Sequence, residues 1–253
     1  MRNTLLLSLT LVAAASISGC RLAASNEPST GTFLICLFDR SLSADSAQTK
    51  DRYMADFTRL VADLQPGDTV VADAITENPT ATMRFPVHIA LPKYDPSQSN
   101  PLLHQREMKS AKRSLLEQVD QLVHQTPPTK NTAILDALYV SRKSLQSREA
   151  RQGAHRIMIV FSDMVEDSAR ANFERQPLGE SRINVLLTAE ERSGRLPDLK
   201  GIDVWVAGAT PDRTMPEDRI RAIETFWHAY FLRCGGVLPP DRYAPALVNF
   251  ALR

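Results

Sequence analysis

The segment Asp39-Arg40-Ser41-Leu42-Ser43 sets one carboxylate and two hydroxyls at alternate positions within five residues. Carboxylate and hydroxyl oxygens are hard donors, suited to Mg²⁺, Ca²⁺ or Mn²⁺. Asp and Ser are common in any loop, so the spacing alone is a weak signal. Two further positions strengthen it. Thr132, in the phrase Lys130-Asn131-Thr132-Ala133-Ile134-Leu135-Asp136, offers a third hydroxyl at a loop end, and Asp163 terminates an apolar run. Glu166 and Asp167 follow shortly after. They read as solvated loop acids, or as added negative charge at the rim of such a site.

Other chemistries find little support. The histidines His88, His104, His124, His155 and His228 show no metal-ligand spacing and read as surface or interfacial residues. There is no Gly-x-Ser-x-Gly elbow, P-loop or Gly-x-Gly-x-x-Gly, which removes the usual marks of hydrolases, NTPases and dinucleotide enzymes. Ser41 or Ser43 as a nucleophile would need a base that the sequence does not place. Lys109, Lys112 and Arg113 stand beside Glu107 and Glu117, so they read as a solvated helix face rather than a nucleic-acid patch. Three cysteines without a Cys-x-x-Cys pair exclude a disulfide scaffold and a zinc ribbon. Cys36 lies in an apolar run and reads as a core thiol, although an oxidising compartment would permit a bridge to Cys234. Trp205, Phe226, Trp227, Tyr230 and Phe231 read mostly as core, with an exposed rim at 227–231 as the alternative.

The elements that must position the polar groups are legible in the hydrophobic pattern. Thr32–Phe38 and Ile157–Phe161 are unbroken apolar runs, the mark of strands buried on both faces. Thr69–Ile75 and Ile202–Ala207 are further strands, and Met83–Leu91 alternates around Pro86, as an edge strand does. Helical spacing appears over Gln48–Leu64, Leu102–His124, Thr132–Leu145 and Pro216–Arg233. Ser181–Arg192 reads as a helix, with a strand as the alternative. Tyr243–Leu252 is either one more strand or a tail packed on the body. Strands alternating with helices predict an α/β fold: a Rossmann-like three-layer sandwich with a mainly parallel central sheet and one antiparallel edge strand. Ligands bind such sheets at the carboxyl ends of the strands, and both Asp39 and Asp163 stand at such ends.

At these residues the sequence resembles von Willebrand factor A-type domains. That family builds a metal-ion-dependent adhesion site from an Asp-x-Ser-x-Ser motif, a loop threonine and a later aspartate. The resemblance implies that Ser41, Ser43 and Thr132 coordinate the metal, with Asp39 and Asp163 binding it directly or through its waters. It covers roughly Thr32 to Cys234, in the family's order of elements. Two departures stand out: Thr129-Lys130-Asn131 replaces the family's glycines before the threonine, and Met164 replaces the glycine after the last aspartate. Asn131 is a residue that tolerates an unusual backbone angle. Hydroxyls and waters neutralise a cation poorly and leave it electrophilic toward an external carboxylate. The implied ion is Mg²⁺, with Mn²⁺ or Ca²⁺ possible, and the implied partner supplies an acidic residue.

Residues 1–19 read as a secretory signal, with Arg2 as the positive end and Leu5–Ala15 as the apolar run. That stretch is short for a membrane span, which needs about 20 residues. Ile17-Ser18-Gly19-Cys20 resembles the bacterial lipobox, which implies lipidation at Cys20 and cleavage before it. Acyl chains contribute about 0.8 kcal/mol per buried CH₂, so several on one residue make a stable anchor. Residues 20–31 then form the lipidated cysteine and a flexible tether, and residues 32–253 form one von Willebrand A-like domain. Cleavage also removes Arg2, so acidic and basic residues balance at 29 each and attachment rests on lipid rather than charge. By the usual lipoprotein sorting behaviour, Arg21 after the cysteine points to the periplasmic face of the outer membrane. The expected function is a lipid-anchored envelope module that binds a protein partner through the metal. A metal-independent scaffold is the alternative, and a metal-dependent hydrolase ranks below both.

Overall fold

The computed structural model describes residues 31–152, 155–210 and 214–252. The signal segment, Cys20 and the tether up to residue 30 lie outside the described residues. Six strands form a single sheet in the order β3-β2-β1-β4-β5-β6. These are β1 (Thr32–Asp39), β2 (Thr69–Ile75), β3 (Val87–Ala90), β4 (His155–Phe161), β5 (Asp203–Ala207) and β6 (Tyr243–Ala244). All neighbours pair in parallel except β2 and β3. The helices are α1 (Ala47–Asp63), α2 (Pro79–Thr82), α3 (Pro101–Gln125), α4 (Ile134–Leu145), α5 (Arg148–Gln152), α6 (Glu180–Arg192) and α7 (Glu217–Arg233). The short α2 and α5 have too few turns to show a hydrophobic period, and the sequence did not announce them.

Each residue of β1 and β2 is buried, as helices on both faces require. One face of the sheet carries Leu34, Cys36, Phe38, Ile159 and Phe161 against α1 and α3. The other carries Ile35, Leu37, Met158 and Val160 against α4, α6 and α7. Helix α1 shows why such packing works: Ser46 caps its start by accepting from the Thr49 N–H at 3.1 Å, and Tyr53, Phe57, Leu60 and Val61 form its buried stripe. Cys36 and Cys234 belong to cores on opposite faces of the sheet, and both are free buried thiols, which settles against the bridge. Trp227, Phe226, Tyr230 and Phe231 are fully buried, so the aromatic rim at 227–231 does not exist as a surface.

The edge strand is shorter than the alternation over Met83–Leu91 predicts. The Arg84 and Phe85 N–H groups both donate to the Asp73 carboxylate, at 2.6 Å, instead of to a sheet ladder. Phe85 sits at φ 53° and Pro86 has no N–H, so pairing begins only at Val87. Residues 181–192 are helical. The tail takes both alternatives in turn. Tyr243 and Ala244 extend the sheet, and beyond them Leu247 and Leu252 are buried while Phe250 meets Trp205 edge-on at 5.0 Å.

Candidate metal centre

The parallel register pairs Phe38 of β1 with Phe161 of β4, and their rings stack at 4.5 Å. Asp39, the last residue of β1, therefore emerges beside Ser162 and Asp163, which follow β4. Chain direction diverges here, since β2 lies on one side of β1 and β4 on the other. Such a switch point leaves a crevice at the strands' carboxyl ends.

Asp39 is almost fully buried. Its Oδ1 accepts from the Ser41 N–H at 2.8 Å and from the Thr132 hydroxyl at 3.2 Å, and its Oδ2 accepts from the Ser162 hydroxyl at 2.6 Å. The Ser43 hydroxyl donates to Asp163 Oδ2 at 2.8 Å and lies 2.9 Å from that of Ser41. The Val165 N–H donates to Asp163 Oδ1 at 3.0 Å. All five residues singled out in the sequence, Asp39, Ser41, Ser43, Thr132 and Asp163, thus belong to one hydrogen-bonded cluster. Its donors toward the two carboxylates are neutral throughout.

Electrostatics follow from that. Burial raises Asp39, and the hydrogen bonds from Ser162, Ser41 and Thr132 only partly offset the cost. Burial, with the negative charge of Asp39 nearby, pushes Asp163 up to about 7. Two buried carboxylates facing three hydroxyls form an all-oxygen donor set whose charge a divalent cation would balance. By this test the residues present fit a hard divalent ion. Among the described residues, no group of three or more His, Cys, Asp or Glu gathers to hold a metal ion, so the candidate donor set is two carboxylates with hydroxyls.

The loops are tied together by backbone and by residues the motif does not name. The Thr129 N–H donates to the Arg40 carbonyl at 2.7 Å and the Leu42 N–H donates to the Thr129 carbonyl at 2.9 Å, so the threonine loop runs alongside the serine loop. This pairing stands where the family has glycines. Asn131 is not among the non-glycine residues with positive φ, and its unusual-angle tolerance is not used. Thr132 lies just outside α4, and its N–H and carbonyl exchange bonds with Asp167 at 3.1 and 2.9 Å. Met164, by contrast, takes up a left-handed conformation, at φ 64°. Its carbonyl accepts from Trp227 Nε1 at 2.7 Å, and its N–H donates to the Ser162 hydroxyl at 2.9 Å, which holds the strained turn.

That arrangement of six strands around this cluster decides the architecture. The fold is a three-layer α/β sandwich around a mainly parallel six-stranded sheet with one antiparallel edge strand. Several supporting residues went unread in the sequence. Ser162 was visible only as part of a polar loop, although its place between a buried strand and Asp163 marks it. Arg40, written as a spacer in the motif, is buried and donates to the Thr126 carbonyl at 2.9 Å and to Asp45 at 2.7 Å. Glu166 is neither a solvated loop acid nor a rim charge: it is fully buried, accepts from the Leu135 N–H at 3.0 Å and caps α4. Burial pushes it up to about 8.

No protein-family model and no curated protein sequence matches the chain. Among solved structures, the pilus adhesin SpaC of Lactobacillus rhamnosus GG, in an open conformation, is 12% identical with a TM-score of 0.44, over 85% of this chain and 28% of that one. A von Willebrand factor type A protein of Catenulispora acidiphila is 10% identical with a TM-score of 0.35, over 81% and 42% of the two chains. The human COPII-coat protein Sec24c is 13% identical with a TM-score of 0.42, over 87% and 30%. The matched part is less than half the length of each of these proteins. The likeness is one of fold alone.

Proposed function

We propose that the chain is a lipid-anchored binding module of the bacterial envelope. Its divalent-metal site, built from Asp39, Ser41, Ser43, Thr132 and Asp163, would capture an acidic residue of a protein partner. The observation that carries this reading is the pair of buried carboxylates, Asp39 and Asp163, with neutral hydrogen-bond donors only. Mg²⁺ is the ion the oxygen set favours, with Mn²⁺ and Ca²⁺ as substitutes. When bound, it would supply charge balance inside the cluster and an electrophilic position toward the partner. The anchor would be Cys20. No helix among the described residues is long and apolar enough to cross a membrane. Lipid on Cys20, followed by Arg21, would hold the chain at the periplasmic face of the outer membrane.

One observation favours a second reading, a metal-independent scaffold in an envelope assembly. The Ser41, Ser43 and Thr132 hydroxyls are already hydrogen-bonded within the cluster, so the loops hold without an ion. Calorimetric titration of Mg²⁺ and Mn²⁺ into the chelator-treated full chain, purified in detergent, separates the two. Saturable one-site binding in the wild type, lost in Asp39→Ala and weakened in Ser43→Ala, is expected for the metal module. Ser43 is exposed, so its variant guards against an unfolded Asp39→Ala. Absence of binding in the wild type would sink the metal reading and leave the scaffold.

A further inference from the structure

Beside Asp163 lies a cavity of about 160 Å³ lined by Ser43, Thr49, Arg52, Tyr53, Asp163 and Thr210, among others. Thr49, Arg52 and Tyr53 occupy positions i, i+3 and i+4 near the start of α1, so one helical face supplies most of one wall. Gly208, at φ 97°, also lines the cavity and packs against Tyr53. A Cβ there would stand 2.7 Å from Tyr53 Cε1 and 2.9 Å from its hydroxyl, so only a glycine lets the phenol tip reach this depth.

Arg52 is the unexplained member of the lining. Its guanidinium carries five N–H donors. Nη2 donates to the Thr210 hydroxyl at 3.2 Å, whereas the buried Nε has no partner among the described residues. Among the described residues no acidic side chain forms an ion pair with Arg52, although arginines at 40, 59, 170, 195, 221, 233 and 242 all have one. A partly buried guanidinium facing a polar cavity, with donors to spare, is matched to an oxyanion. Tyr53 adds a second donor. Burial, and the charges of Asp39 and Asp163, hold its hydroxyl protonated far above neutral pH.

Charge balance narrows the ligand. Among the described lining residues and the adjoining cluster, ionised Asp39 and Asp163 carry two negative charges, which a divalent ion would cancel, and Arg52 adds one positive charge, while the Glu174 charge is also felt at Asp163. The volume suits a single side-chain terminus rather than a large polyanion. We propose that Arg52, with Tyr53, forms a monocarboxylate subsite adjoining the metal centre, which binds the carboxylate side chain of a protein partner. This rests on the metal reading above and goes beyond it: Arg52, and not the cation alone, selects a singly charged group.

The test uses the full chain in detergent loaded with Mn²⁺. Its probes are acetate and the α-amide of N-acetylglutamate, followed by paramagnetic broadening of their proton signals. Both probes should broaden saturably with the wild type. Arg52→Gln should weaken both by about tenfold, the worth of one charge-assisted pair. Arg52→Lys should retain part of the affinity. The same Arg52→Gln change should tighten Mn²⁺ itself, measured by calorimetry, because a nearby positive charge is removed. Opposite movements of ion and carboxylate are the signature. A variant that weakens both marks Arg52 as merely structural and overturns the proposal, as does equal probe binding with and without the guanidinium. A site that takes acetate but refuses the glutamyl amide overturns a protein side chain as the source. If the wild type fails to bind Mn²⁺ at all, the metal reading itself falls, and that result is distinct from the others.

Discussion

Two aspartates at opposite ends of neighbouring strands, Asp163 and Asp203, show what separates a charge met by cations of the fold from one met only by neutral donors. Asp203 opens β5 at the amino end of the sheet. It accepts from His155 Nε2 at 2.7 Å and pairs with Arg242 at 3.0 Å. Burial raises its carboxyl, but the bonds from His155 and Arg242 and the guanidinium charge win, and it lies below the ordinary range. Asp163 follows β4 at the carboxyl end, where the fold supplies hydroxyls, N–H groups and another carboxylate. Burial and Asp39 push it up to about 7. At one end the chain brings its own cation. At the other, only neutral hydrogen-bond donors face the two carboxylates.

The sharpest way to break that contrast is to exchange each aspartate for its neutral isostere. Asp163→Asn should cost at least about a hundredfold in Mg²⁺ affinity, which calorimetry would show, since a charged ligand is lost. The same variant should raise the melting temperature of the metal-free chain at pH 8, because a poorly compensated buried charge disappears. A lower melting temperature there would mean that the Asp163 charge is structurally satisfied without metal.

The pH dependence separates the two ends next. Asp163 and Glu166 have folded-state values above their unfolded ones, so the folded chain holds protons that the unfolded chain releases. Their contribution to stability is therefore present at low pH, declines as pH rises above about 4, and is gone once pH passes about 7 for Asp163 and about 8 for Glu166. Asp203 has the opposite sign, with stability present above its unfolded value and lost as pH falls through the folded one. In chelator, the melting temperature should fall from about pH 5 to about pH 8. Mg²⁺ should stabilise increasingly over that range, and Glu166→Gln should remove the slope nearest pH 8. A melting temperature that is flat in chelator and unmoved by Glu166→Gln would count against these assignments.

Smaller effects sharpen the picture. Trp227→Phe keeps an aromatic side chain but removes part of the indole volume and the donor to the Met164 carbonyl, leaving that buried acceptor unpaired. Urea denaturation should register a loss of about 1–3 kcal/mol, and a neutral result would mean that the strained turn needs no such brace. Asp203→Asn touches only partly exposed pairs and should cost less than about 1 kcal/mol, with Mg²⁺ binding unchanged.

Legibility in the sequence followed the range of the forces involved. The unbroken run of β1, the apolar stripe of α1 and the Asp-x-Ser-x-Ser spacing are local, and they named most elements together with the five clustered side chains. The edge strand was overcalled because Asp73, on β2, captures the Arg84 and Phe85 N–H groups. No pattern within residues 83–91 carries that information. Glu166 was misread for a similar reason. Its environment is the start of α4, some thirty residues earlier in the chain.

What the sequence determined by itself was periodicity, element order and the presence of oxygen donors after two buried strands, since each depends on neighbours along the chain. Only the tertiary structure decided which charges are met. The β1–β4 register sets Asp39 beside Ser162 and Asp163, Trp227 braces Met164 from α7, and α1 turns Arg52 toward a cavity beside Asp163. Burial and electrostatic compensation depend on distances across the fold, and no spacing along the chain encodes them.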